Sequence, residues 1–145
     1  MISTSELDQT PVDRPRVVFA HSEARYLARA EEEFGRRGWE VFPAGSGPQV
    51  RRLVRRVRPQ LVVLEAELPE ESGWLTCAKL TREQPKLAVV LVSGLVGSWE
   101  ESFGRFVGAA RVVERRRGLA GVLPAVEGTA AGEGITGGPE VGQQG

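Results

Sequence analysis

Leu61–Gly73 reads LVVLEAELPEESG, and it decides the fold. Leu61–Leu64 is a short unbroken apolar run, the pattern of a strand buried on both faces of a parallel sheet. It ends in a carboxylate, Glu65. A loop with a second carboxylate, Glu67, and a proline, Pro69, follows, and a helix is predicted from about Glu70 to Gln84, stopped by Pro85. Ligands and chemistry in open α/β sheets gather outside the carboxyl ends of the strands, so Glu65 is a functional candidate by position.

The same alternation recurs on both sides of this stretch. Upstream, Arg16–Ala20 is a buried strand, followed by His21 and by Ser22 as the expected N-cap of a helix that ends near Gly35. Trp39–Phe42 reads as a short second strand. Ala44–Pro48 is a turn in which Ser46 caps the next helix and Pro48 suits its first turn. In that helix Val50, Leu53, Val54 and Val57 share one face, and Arg51, Arg52, Arg55, Arg56 and Arg58 share the other. Downstream, Leu87–Val92 is a fourth buried strand leading to Ser93 and Gly94. A helix at Trp99–Val107, a strand at Arg111–Glu114 and a weak helix at Leu119–Val126 complete the pattern; Gly118, Gly121 and Pro124 weaken the last element. Five β-α repeats argue for a parallel sheet with helices on both faces, since parallel strands need crossover connections.

Composition bounds the rest. The chain has 145 residues, 41% apolar and 26% charged. That is one domain of ordinary globular make-up, with no apolar window long enough to span a membrane and no secretory signal pattern. A cytoplasmic location is expected. One cysteine, Cys77, and one histidine, His21, exclude an internal disulfide, multi-cysteine metal sites and most histidine-based catalytic sets. Residues 1–13 read as a flexible leader, 14–126 as the domain, and 127–145, with seven glycines, as a disordered tail. The net charge of zero hides an asymmetry: the six acids of the two tails leave 13 acidic against 19 basic residues between them, a net of +6.

Over about Arg16–Val126 the chain resembles the response-regulator receiver domains (CheY-like) of two-component signalling, most densely at Pro59–Gly73. The resemblance implies a flavodoxin-like, doubly wound five-stranded sheet of order 2-1-3-4-5. It also implies five site positions. The phosphoacceptor aspartate falls on Glu65, and the magnesium-binding acidic pair falls on His21 and Ser22, so that pair is lost. The hydroxyl that meets the phosphoryl group falls on Ser93 and the lysine on Arg115, with Arg116 in place of the usual proline. The aromatic switch position falls near Val112. Magnesium requires hard oxygen ligands in a tight octahedron, for which Glu65 alone is a poor set, so no cofactor is expected. Without the metal only Arg115 neutralises charge on a transferring phosphoryl group.

The expectation is therefore a stand-alone receiver-like signalling module, not an enzyme, that acts through protein contacts independently of phosphorylation. Glu65, Ser93 and Arg115 would form its fixed cluster, and His21 is read as a solvated loop residue or, more sharply, as a pH-sensitive partner of Glu65. The resemblance places the partner surface on helix 99–107, strand 111–114 and helix 119–126, and a homodimer stays open. Two alternatives are a phosphoryl-accepting regulator and a nucleic-acid-binding module using the basic helix 51–58, for which no recognition motif or aromatic interleaving speaks. Trp39, Trp74 and Trp99 are expected to pack in the core, and exposure of Trp99 would mark a docking surface.

Overall fold

A computed structural model describes the backbone of residues 14–130 and the side chains of 14–127; the leader 1–13 and residues 131–145 lie outside the described residues. Five parallel strands, β1 (Arg16–Ala20), β2 (Glu40–Ala44), β3 (Leu61–Glu65), β4 (Ala88–Ser93) and β5 (Arg111–Glu114), form one sheet of order β2-β1-β3-β4-β5. The helices between them are α1 (Ala24–Arg36), α2 (Gly47–Val57), α3 (Gly73–Glu83), α4 (Ser98–Phe106) and α5 (Gly118–Ala130). This is the parallel sheet with helices on both faces that the alternation implied, in the doubly wound flavodoxin-like order that the resemblance implied.

Strand periodicity divides the core in two. Val62 and Leu64 of β3 join Val18, Val89 and Leu91 beneath α2 and α3, where Val50, Leu53, Val54, Cys77 and Leu80 are buried. Leu61 and Val63 face the other way with Val17, Phe19, Val90 and Val92, and are covered by Ala30 and Phe34 of α1 and by Val122 and Val126 of α5. Each fully buried Val, Leu or Phe contributes about 1.5–3 kcal/mol, so the unbroken apolar runs of β3 and β4 are the main source of stability. Register pairs Leu64 with Ala20 and with Leu91, and Glu65 with Val92, which brings the strand ends carrying His21, Glu65 and Ser93 to one edge.

The sequence boundaries shift at several places, each for a local reason. Ser46 caps α2 as expected, its hydroxyl accepting the Gln49 amide at 3.3 Å. Ser22 does not cap α1: the cap is Glu23, with no side-chain hydrogen bond, because the Ser22 amide is turned toward Glu65. β2 runs to Ala44 through Pro43, which an edge strand tolerates. α3 opens at Gly73 rather than near Glu70, because Glu70 adopts φ +72 and Ser72 is the cap, accepting the Leu75 amide at 3.2 Å. α5 reaches Ala130 with Pro124 inside it, four residues beyond the expected end. Leu119, Val122, Ala125 and Val126 are buried against the sheet, and that burial outweighs the helix's poor intrinsic propensity.

Candidate functional site

Glu65 is the last residue of β3, and its side chain is 7% exposed. Its Oε1 accepts the Ser22 backbone amide at 2.9 Å. Its Oε2 lies 3.5 Å from Arg115 Nε and 3.8 Å from His21 Nε2. Arg115, in a 3-10 turn (Arg115–Arg117) after β5, also donates from Nη2 to Glu67 Oε1 at 3.0 Å. Thus both loop carboxylates meet one guanidinium. Ser93, buried at the end of β4, forms no hydrogen bond to Glu65 or Arg115 among the described residues, so the expected three-residue cluster reduces here to Glu65 and Arg115. The other residues at this strand edge are Ser22, Glu23, Tyr26, Arg29 and Gly118, which with the charged groups line an open cleft of about 490 Å³.

His21 is not the solvated loop residue of the blander reading. It is 4% exposed and stacks on Tyr26, with ring centroids 4.0 Å apart and planes 11° from parallel. Its Nδ1 accepts the Glu23 amide at 3.0 Å, so the ring proton sits on Nε2, facing Glu65. Burial lowers its pKa, against the pull of the Glu65 and Glu23 carboxylates, and Arg115 adds to the lowering. Burial also pushes the Tyr26 hydroxyl up to about 12. The His21 Nε2, Tyr26 Oη and Arg115 Nε atoms are all buried without a hydrogen-bond partner.

The donor set does not fit magnesium. Glu65 is the one buried carboxylate of the cleft, Glu67 is engaged by Arg115, and an imidazole and a serine occupy the acidic-pair positions, so the hard-oxygen set the metal needs is incomplete. Glu67, 72% exposed, is held outward by Arg115. Among the described residues no group of three or more His, Cys, Asp or Glu side chains is placed to hold a metal ion.

Sequence reading missed Glu71. Its carboxylate receives Arg51 Nε and Nη2 at 3.1 Å each, the Thr76 hydroxyl at 2.7 Å and Lys79 Nζ at 2.9 Å. Burial opposes its ionisation, but the hydrogen bonds from Arg51, Thr76 and Lys79 win and bring its pKa down to about 2. No local pattern could have found it, because its partners come from two other elements, Arg51 from α2 and Thr76 and Lys79 from α3. That clamp, and an ion pair of Arg55 with Glu83 at 3.2 Å, occupy two of the five arginines of the basic helix. Cys77 is core filler: its thiol is fully buried 3.4 Å from the Val107 carbonyl oxygen, and burial pushes its pKa up to about 12. Of the tryptophans, Trp39 packs in the core and Trp74 is half-buried, but Trp99 is 64% exposed.

The architecture is that of receiver domains. A receiver domain protein (CheY-like) from Methanospirillum hungatei superposes with a TM-score of 0.77 at 15% identity, over 83% of this chain and 97% of that one. A LuxR-family two-component response regulator from Aurantimonas gives 0.75 at 20% identity over 83% and 87%. The activated receiver domain of RstA from Klebsiella pneumoniae gives 0.68 at 20% over 84% and 99%. In sequence, the chain is 41% identical over 56 residues to the probable transcriptional regulatory protein TcrX of Mycobacterium tuberculosis, covering 39% of this chain and 24% of TcrX. It is 27% identical over 93 residues to the regulatory protein TorR of Escherichia coli, covering 64% of this chain and 40% of TorR. The chain thus spans roughly a quarter to two fifths of the length of these relatives. No family model matches it. No helix among the described residues is long and apolar enough to cross a membrane.

Proposed function

We propose that this chain is a receiver-type signalling domain of a two-component system that works without phosphorylation, by contact with a partner protein in the cytoplasm, and has no catalytic role of its own. The observation that carries the reading is the state of Glu65. Its carboxylate stands where the resemblance puts the acceptor, already holds the Ser22 amide, and faces Arg115 and His21. A negative charge there imitates a modified acceptor, and the acidic pair that would recruit magnesium is replaced by His21 and Ser22. Phosphoryl transfer depends on positioning and charge neutralisation, and Arg115 alone supplies little of either.

The partner surface implied by the resemblance, α4 with β5 and α5, is rebuilt in a way consistent with an unusual partner. Gly104 of α4 packs directly on Val112 of β5, near which the resemblance puts the aromatic switch position, so closely that a β-carbon there would collide with the valine side chain. A rotating aromatic side chain has no place in that contact.

Titrating the folded protein with magnesium and then beryllofluoride, followed by tryptophan fluorescence and amide NMR, tests the reading. A flat response supports it. Shifts centred on Glu65, Ser93 and Arg115, or labelling by acetyl phosphate, would establish instead a phosphoryl-accepting regulator.

A further inference from the structure

The exposed large hydrophobic side chains of the described residues all fall on α3, on α4 or on the loop between β4 and α4: Leu75, Leu95, Trp99 at 64% and Phe106 at 82%. A line of rings runs along the seam of the two helices. Trp74 of α3 meets Trp99 at 6.4 Å and Phe103 at 5.1 Å, Trp99 stacks on Phe103 at 5.0 Å, and Phe103 stacks on Phe106 at 6.0 Å. Trp99, Phe103 and Phe106 keep the i, i+4, i+7 spacing of a helical stripe. This strip lies on the α3 side of α4, away from the β5 contact of Gly104. It is a second surface beside the one that the resemblance implies.

We infer that the strip is the docking site of an acidic amphipathic helix belonging to a partner protein, an inference that rests on reading the chain as a module that works by contact. An apolar stripe along the seam of two helices is the shape that takes a third helix by its own apolar face. The charges beside the strip select the sign of that helix. Leu75, Lys79 and Arg82 repeat the i, i+4, i+7 spacing on α3, so cations border the strip there. Arg82 is exposed and has no ion pair or side-chain hydrogen bond among the described residues. Lys79 bonds Glu71, but Glu71 also holds Arg51, so one carboxylate meets two cations and the margin stays positive. Glu83, in the last turn of α3, is turned away to Arg55 of α2. The Thr81 hydroxyl bonds the Val107 carbonyl at 2.9 Å, which sets Arg82 at the same end of the strip as Phe106. On α4 the flanking residues are Ser98 and Ser102, and Arg105 Nη2 meets the Ser102 hydroxyl at 3.3 Å. A second copy would bring the same cationic margins against these, and like charges oppose the pairing. A bilayer would meet a wider area that takes in the exposed Glu70 and Glu101, whereas a helix about 10 Å wide meets only the strip and its margins.

The probe is a synthetic amphipathic helix of about 18 residues, with leucines at i, i+3, i+4 and i+7 and glutamates beside them, added to the full chain without metal. Tryptophan fluorescence and amide NMR are expected to report binding centred on Trp74, Trp99, Phe103 and Phe106. With circular dichroism confirming the fold, Phe106→Glu is expected to weaken binding at least about tenfold. Arg82→Glu is expected to weaken it about three- to tenfold, and to strengthen binding of a lysine-for-glutamate peptide by a similar factor. The inference is overturned by no response at about 1 mM peptide, by shifts that miss the strip, or by a lysine peptide that binds the wild type as well as the glutamate one. Dimerisation of the free chain through the strip, or a larger response of the same signals to vesicles of equal parts phosphatidylcholine and phosphatidylglycerol, would overturn it too. Peptide binding that needed magnesium and beryllofluoride would support the strip and overturn instead the phosphorylation-independent reading.

Discussion

Glu65 and Glu71 stand six residues apart at the same end of the sheet, and their side chains are almost equally withdrawn from solvent, at 7% and 8% exposure. Their surroundings are opposite. Glu71 accepts four hydrogen bonds of 2.7–3.1 Å from Arg51, Thr76 and Lys79. Glu65 accepts one, from the Ser22 amide, while Arg115 and His21 approach only to 3.5 and 3.8 Å and leave buried donors unpaired. A buried carboxylate with its lone pairs filled ties elements together, and Glu71 joins α2, the β3–α3 loop and α3 into one body. A buried carboxylate that is only partly satisfied contributes little net stability and leaves its neighbours free to rearrange. Of the two carboxylates, the tying hydrogen bonds are thus concentrated at the residue with no counterpart among the five site positions, and the unpaired donors at the residue in the acceptor's place.

The sharpest way to break this contrast is to displace the turn that carries both carboxylates. Gly73 donates its amide to the Ala66 carbonyl at 2.7 Å, and a β-carbon on it would run into the Glu65 backbone carbonyl. Gly73→Ala is expected to cost about 3 kcal/mol in urea unfolding, because backbone rather than a flexible side chain must yield. Next in size is Glu71→Gln, which keeps the shape but removes the charge from three donors, for an expected loss of about 2 kcal/mol. Its pH signature is separate. The Glu71 pKa falls on folding from 4.5 to about 2, so its stabilisation is complete above pH 4.5 and is lost as the pH falls through about 2. The wild type should lose stability over that interval more steeply than Glu71→Gln does.

How far the sequence reading reached follows the same division. β3 and β4 were legible within a residue or so because buried parallel strands are written as contiguous apolar runs; β5, with only Val112 and Val113 apolar and no residue fully buried, followed from the alternation with helices, and the strand order from the resemblance. The placement of Glu65 near Arg115 followed from the site positions that the resemblance implied, both of which lie at strand ends. The Glu71 clamp did not, because its partners come from α2 and α3 and no local pattern announces a pairing between elements. The blander reading of His21 failed because the residue sits just past a strand, where side chains are commonly wet; here Tyr26, in the first turn of α1, folds over its ring. Ser22 reads as a cap in any local account, and only the long-range attraction of its amide to Glu65 displaces it.

The smaller predictions probe the loose side of the contrast. Glu65→Gln keeps an acceptor for the Ser22 amide and gives up an ion pair with a partner that is 34% exposed, so the expected change is within about 1 kcal/mol, well below that for Glu71→Gln. Equal losses at the two glutamates would refute the contrast.

His21 gives the finest test. In the unfolded chain it titrates near 6.5, and in the folded one burial holds it lower. Between those two values the unfolded state binds more protons than the folded state, so stability must rise with pH across that window and fall as the pH drops below about 6.5. Protonation would also place a proton on Nδ1, where the Glu23 amide now donates, so the first turn of α1 loosens just as His21 gains charge opposite Glu65. The His21→Gln variant is expected to flatten the stability profile below about pH 6.5, by less than about 1 kcal/mol in all. An NMR titration of the His21 ring with a midpoint above 6.5 would mean that the Glu65 carboxylate, not burial, governs this end of the sheet. The carboxylate would then be a fully engaged partner like Glu71 rather than a partly satisfied one.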